Sequence, residues 1–258
     1  MVSCALYSIS QKAKTSKDPL VLERIQLLKD QLPEGESSLV LALGGDGEVL
    51  NAFRNHPDRT ILGIKIDDSR SLGYYSAINL QDIDHHTIEK IQDDNYHVTK
   101  LPLLSCRIGE KEYKVFNDAS VLRKHNGKSG EFRVTIGKDR FDVFGDGIIL
   151  CTPQGSTGYN FSSGGSIINW DLRVYGVRFF NISHGLRSIS TIVPENTETA
   201  IQTIYAADVE MDGTSHDLEK GATMTARFSK EYAQLVSLGY HSQMDRFKSM
   251  VRSNTLDR

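Results

Sequence analysis

A chain of 258 residues, 39% of them hydrophobic and 24% charged, has the bulk to bury a sizeable core in one or two domains, which excludes a disordered or fibrous protein. Thirty Lys and Arg against 33 Asp and Glu leave a net charge of −3, so no excess positive field draws in a polyanion, and nucleic acid is not an expected partner. No apolar run approaches membrane length, the N-terminal MVSCALYSIS lacks a signal-peptide pattern, and Cys4, Cys106 and Cys151 form no CxxC; a soluble, cytoplasmic protein without membrane contact is expected.

In chain order, Cys4 to Ile9 predicts a short strand, and Val21, Leu22, Ile25, Leu28 and Leu32 recur at helical spacing. Ser38 to Leu43 is a continuous apolar run that stops at Gly44, as a strand buried on both faces would. Val49, Leu50 and Phe53 predict a helix, Thr60 to Ile66 a strand, and Ile83 to Ile91 another helix. This alternation implies an N-terminal α/β domain with a layered parallel sheet, over residues 1–97. From His97 on the pattern turns to hairpins. His97–Ile108 and Lys111–Arg123 meet at Gly109-Glu110, and Glu131–Gly137 and Asp142–Phe144 flank Lys138-Asp139-Arg140. Val177–Ile182, Ala200–Met211, Ala222–Phe228 and Ala233–Leu238 continue the series, so 98–239 reads as a β-rich second domain, α+β overall. Met244, Phe247 and Val251 predict a final helix, about 240–258, that packs back on the first domain.

Three segments carry chemistry. Gly44-Gly45-Asp46-Gly47-Glu48 stands where a buried strand should turn into a helix, a place where backbone N–H groups and the helix dipole favour phosphate. An Asp there opposes phosphate by charge; it suits a divalent cation or a hydroxyl that must lose a proton, although a plain tight turn with Asp46 as N-cap fits too. Phe116-Asn117-Asp118 interrupts an apolar strand, where Asn117 could read a base edge and Asp118 could accept from a ribose hydroxyl; a polar bulge on an edge strand is the alternative. Gly145-Asp146-Gly147 precedes Ile148-Ile149-Leu150 and then Thr152-Pro153-Gln154-Gly155-Ser156-Thr157-Gly158-Tyr159, a polar loop of little bulk that could wrap a sugar or base, or could merely start a helix capped by Ser156 or Thr157. His85, His86, His125 and His216 lack metal-ligand spacing and are expected on the surface, whereas Tyr74, Tyr75 and Trp170 are expected in core or interface.

In this order and at these separations, GGDG, the Asn-acid pair and GDG with TPxGSTxY resemble the NAD kinase family, over about Leu39 to Leu238. GGDG alone is shared with diacylglycerol and sphingosine kinases; the TPxGSTxY stretch is far more specific. The resemblance implies an enzyme that phosphorylates the 2′-hydroxyl of the adenosine ribose of NAD to give NADP, using ATP or polyphosphate and a divalent cation such as Mg²⁺. It implies Asp46 as the catalytic acidic residue and Gly44, Gly45 and Gly47 as the phosphate turn. It also implies Gly47, Asn117, Asp118, Asp146, Ser156, Thr157, Gly158, Tyr159 and Ser162 as NAD-binding residues, with Asp212-Gly213 as a late turn near the dinucleotide and no residue assigned to metal. A homodimer or homotetramer is implied as well.

The chain departs from the family pattern at Glu48, where Thr or Ser is usual, and at Asp118, Phe144, Gly158, Ser166 and Thr214; Leu72-Gly73-Tyr74-Tyr75 is a loose form of LGFL. Two other readings follow from these features. One is a lipid or small-alcohol kinase sharing the GGDG turn; the other is a nucleotide-binding regulatory module in which Glu48 has weakened or abolished transfer.

Overall fold

The computed structural model describes residues 4–66, 73–124, 129–183 and 188–239, together with 243, 245, 246 and 248 of a C-terminal helix. His125, Leu72 and the apolar positions 244, 247 and 251 expected on that helix lie outside the described residues. The chain divides into two compact units, Met1–Leu101 with Ala233–Arg258, and Pro102–Tyr232. The change of hydrophobic period puts these limits near residues 98 and 240. Both connecting strands run through the limits without a break, so a boundary drawn from periodicity falls at a strand end, whereas the division by packing falls inside the strand.

The first unit contains β1 (Leu6–Ile9), α1 (Gln11–Lys14), α2 (Pro19–Gln31), β2 (Leu39–Gly44), α3 (Asp46–Asn55), β3 (Thr60–Lys65), β4 (Ser76–Asn79) and α4 (His85–Gln92). Its strands are parallel, with β2 between β1 and β3. Every residue of β2 is buried, as an apolar run sandwiched between helical layers must be. The far edge of β3 is shared: Gly63–Lys65 pair with β4, while Thr60 and Ile61 pair with Gln234 and Leu235. Leu28, Leu32, Leu41, Leu43, Leu62, Ile64, Ile88 and Ile91 form the core of this unit.

The second unit is β-rich, with β5 (His97–Ile108), β6 (Lys111–Val115), β7 (Asp118–Arg123), β8 (Gly130–Ile136), β9 (Asp139–Gly145), β10 (Gly147–Cys151), α5 (Tyr159–Ser162), β11 (Val174–Phe180), β12 (Ser188–Pro194), β13 (Thr199–Thr203), β14 (Ala207–Met211), β15 (Thr214–Leu218) and β16 (Thr223–Ser237). One sheet has the order β12-β11-β10-β7-β14-β15, and β16, β13, β8 and β9 lie side by side in the other. Phe132, Val134, Ile201 and Met224 from one sheet and Val121, Ile148, Leu150, Val177 and Val209 from the other belong to a single apolar cluster.

Three strand expectations are corrected. Lys111–Arg123 is not one strand: it breaks at Phe116-Asn117 into β6 and β7. Ala200–Met211 breaks into β13 and β14, whereas Ala222–Phe228 and Ala233–Leu238 belong to the single strand β16. The first break has a visible cause. The Asp212 carboxylate accepts hydrogen bonds from the N–H groups of Phe116 (2.7 Å) and Asn117 (2.7 Å), taking donors that a continuing ladder would use. Strand β7 lies between β10 and β14, so the polar pair is not a bulge on an edge strand either.

Candidate functional site

Within the first unit the site is built on the end of β2. Gly44 closes that strand, Gly45 is the N-cap of α3 and Asp46 is the first residue of the helix. The Asp46 side chain does not cap the helix. Its Oδ1 instead accepts a hydrogen bond from the N–H of Tyr75 (2.8 Å), on the loop that leads into β4. That loop lies close against β3 because Gly63 lacks a side chain: a Cβ there would stand 2.8 Å from the Tyr75 carbonyl oxygen. Tyr74 and Tyr75 are buried, as expected, and pack edge to face. Burial pushes the Asp46 carboxyl above the usual carboxylate range, opposed by the N–H groups of Tyr75 and Tyr74 and by the charges of Arg246 and Lys65.

Gly47 is exposed, with open space where a side chain would go. Glu48 is held sideways: its Oε1 accepts from Ser8 Oγ (2.5 Å) and Asn51 Nδ2 (3.1 Å). The N–H groups of the first turn of α3 keep the positive end of the helix dipole at the glycine turn.

Within the second unit Asn117 and Asp118 stand at the β6–β7 break. Asp212 spans this break from the β14–β15 turn: besides its bonds to the N–H groups of Phe116 and Asn117, its own N–H donates to the Asp118 carbonyl (3.1 Å). Asp212 adopts a φ of 47°, a left-handed conformation that an Asp tolerates. Burial, then the negative Asp212, push Asp118 up to about 7, with Glu210 adding to them and the Tyr159 N–H pulling the other way.

The segment after β10 is fastened to the same break. Thr152 donates through Oγ1 to the Phe116 carbonyl (2.6 Å), and its N–H donates to that of Asn117 (2.9 Å). Gln154 Nε2 donates to the carbonyls of Phe116 and Pro102, both at 2.7 Å. Gly155 lies so close that a Cβ there would stand 2.0 Å from the Asn117 carbonyl oxygen.

The remaining expected residues differ in exposure. Ser156 is fully buried, its hydroxyl donating to the Pro153 carbonyl (2.6 Å) and accepting from the Ile168 N–H (2.9 Å). Thr157 donates to Gln154 (3.2 Å) and Ser162 to Tyr159 (3.0 Å), in each case to the carbonyl oxygen. Gly158 is exposed beside Asp118, where a Cβ would meet Oδ2 at 3.4 Å. Tyr159 presents its ring at the surface, edge to face with Phe180. Asp146 joins Arg123 Nε (2.5 Å) and Asn181 Nδ2 (2.8 Å).

Asn117, Asp118, Gly158, Tyr159 and Asp212 are thus brought together around one backbone break. Sequence reasoning missed the Tyr75 N–H, the capping role of Asp212, and Arg246. Only Asp212 left a signal, as an Asp-Gly turn between two strand-like runs. His85 and His86 are exposed, while His216 is half-buried against the Tyr113 ring at 4.6 Å. Chemically, the first unit offers a half-buried carboxylate next to a helix N-terminus, a proton acceptor beside a place that favours an anion. The second offers acceptors and a small-residue loop suited to a nucleoside.

The family model described as the ATP-NAD kinase C-terminal domain matches residues 116–238. The chain is 34% identical over 163 residues to an NAD kinase of Clostridium beijerinckii, a match covering 60% of this chain and 55%, just over half, of that relative. It is 30% identical over 210 residues to an NAD kinase of Clostridium perfringens, covering 77% of this chain and 74% of the relative. Among solved structures, a yeast NADH kinase complexed with NADH superposes with a TM-score of 0.79 at 16% identity, covering 99% of this chain and 87% of that one. An NAD kinase from Archaeoglobus fulgidus in complex with ATP gives a TM-score of 0.76 at 19% identity, over 98% and 99%. At these identities the two structures speak for the fold alone.

Proposed function

The chain belongs to the NAD kinase family, and on that premise we propose that it phosphorylates the 2′-hydroxyl of the adenosine ribose of NAD, forming NADP from ATP or polyphosphate. The observation that carries this reading is Asp46: a half-buried carboxylate at the start of α3, aimed by the Tyr75 N–H, in the turn where the family has its catalytic acid. Asp46 takes the proton of the 2′-hydroxyl as its oxygen attacks the terminal phosphorus. Phosphoryl transfer through a loose transition state asks little of the base, so positioning by the glycine turn supplies most of the acceleration. Asn117 and Asp118 hold the adenosine portion, Gly158, Tyr159 and their neighbours surround the adenine, and Asp146 meets the nicotinamide riboside end. Ser156 serves by shaping the loop, since both functions of its hydroxyl are taken within the chain.

Among the described residues no group of three or more His, Cys, Asp or Glu is arranged to hold a metal. A Mg²⁺ ion carried by donor phosphates and water would need no protein cage. When bound it supplies neutralisation of phosphate charge. No described helix is long and apolar enough to cross a membrane; the reading places the enzyme in the cytoplasm, as a homodimer or homotetramer.

The regulatory-module reading turned on Glu48. Its bonds to Ser8 and Asn51 supply a local role for this side chain, which favours the active enzyme. The test is NADP formation by the purified full-length protein with NAD, Mg²⁺ and either donor. Saturable NAD binding with no NADP from ATP or polyphosphate would return the regulatory reading.

A further inference from the structure

We propose that Arg246, on the C-terminal helix, is a positioning residue for Asp46 and acts through the single peptide unit that joins Tyr74 to Tyr75. Arg246 Nη1 donates to the carbonyl oxygen of Tyr74 (2.5 Å) and to that of Ser76 (3.1 Å). The carbonyl of Tyr74 and the N–H of Tyr75 belong to the same peptide, and it is this N–H that donates to Asp46 Oδ1 at 2.8 Å. In a trans peptide the C=O and N–H point to opposite sides. A guanidinium on the oxygen therefore polarises the N–H towards the carboxylate, and hydrogen bonds linked in this way strengthen one another where water is scarce.

The second bond, to Ser76, fixes the orientation of the peptide. Two carbonyls flanking Tyr75 are gripped by one rigid group, so the N–H between them cannot swing away from Asp46. Gly63 lets the same loop lie against β3, so the peptide is set from both sides. The charged groups facing Asp46 are Arg246 from the C-terminal helix and Lys65 from β3, both cationic; the nearby Glu48 is engaged by Ser8 and Asn51. Burial alone would favour the neutral acid, which cannot take a proton, and the Arg246 charge works against that through space and through the peptide. The inference rests on the reading of Asp46 as the base for NAD phosphorylation.

The experiment compares the full-length wild type with Arg246→Met and Arg246→Lys. Arg246→Met should lower kcat about tenfold or more while KM for NAD stays within about twofold, and should move the acid limb of the kcat–pH profile upward. Arg246→Lys keeps the charge but not the rigid planar group that sets where the donor stands, so it should fall between the two. Combined with Asp46→Asn, Arg246→Met should add little further loss, because the two residues act as one unit. A wild-type kcat and acid limb in Arg246→Met, or a full additional loss when Arg246→Met is combined with Asp46→Asn, overturns the inference. Should Arg246→Met fail to fold, Arg246→Lys decides: a kcat about threefold or more below wild type at unchanged KM supports it, and a wild-type kcat overturns it. A wild type that makes no NADP would instead sink the underlying reading, whatever the variants do.

Discussion

Asp46 must be charged to take a proton, and it sits where burial resists charge. Its pKa lies above the ordinary carboxylate range, chiefly because of that burial. A base works only when deprotonated, so kcat should fall as pH drops through a value higher than that of an exposed Asp. Asp46→Asn should lower kcat by about 10²–10⁴ and abolish this limb, with NAD affinity by calorimetry nearly unchanged. Loss of affinity with retained turnover per bound NAD would show that Asp46 binds and does not catalyse.

Asp118 gives a second pH test, on stability. Its carboxyl is pushed up to about 7 in the folded chain, from an ordinary value of 3.8. Between these values the folded state holds a proton that the unfolded state has lost. The stabilising contribution is therefore complete below about 4 and disappears as pH rises through about 7. Asp118→Asn, which cannot charge, should raise the thermal midpoint relative to wild type at pH 8, and the difference should vanish near pH 4. A variant less stable than wild type at pH 8 would contradict this.

The β6–β7 break and the loop after β10 behave as one element. Gly155→Ala places a methyl group 2.0 Å from the Asn117 carbonyl oxygen, a backbone atom that can shift only at a cost. The expected result is a stability loss of about 1–3 kcal/mol by urea unfolding, with weakened NAD binding, since Asn117 must move. Asp212→Asn keeps the left-handed residue but removes the charge that holds the N–H groups of Phe116 and Asn117. It should cost about 1–3 kcal/mol and raise KM for NAD more than it lowers kcat.

Such elements also mark where the sequence stopped being legible. SLVLAL and its stop at Gly44 could be read directly, because a strand buried on both faces and a glycine turn are local signals. VFNDASVL could not. Its apolar residues continue across the pair, and the group that breaks the strand, Asp212, lies more than 90 residues further along. Strands β4, β12 and β15 were missed for a related reason: short segments such as Ser76–Asn79 and Thr214–Leu218 carry too few apolar residues for a period, and pairing alone makes them strands.

At the scale of the molecule, each unit presents its candidate functional residues where its own chain organisation requires. The parallel sheet of the first unit puts Asp46 at the carboxyl end of a strand, where open α/β sheets bind ligands. The second gathers Asn117, Asp118 and Asp212 at a break in an antiparallel sheet. The α/β-then-β division was legible because the hydrophobic period changes near His97. Family membership was legible from three short motifs together, none of them sufficient alone. Arg246 was invisible: a single Arg between the apolar positions of an amphipathic helix carries no sign that it will grip the peptide opposite Asp46.

On the proposed function, this chain moves a phosphoryl group onto the ribose of NAD with Asp46 as base. The most direct measurement is transfer of label from γ-labelled ATP, with NAD and Mg²⁺, in wild type and in Asp46→Asn. Wild type should form labelled product carrying the phosphate on the adenosine 2′-oxygen, and the variant should form at least about a hundredfold less. Label on another hydroxyl, or equal transfer by both proteins, would contradict the proposed function.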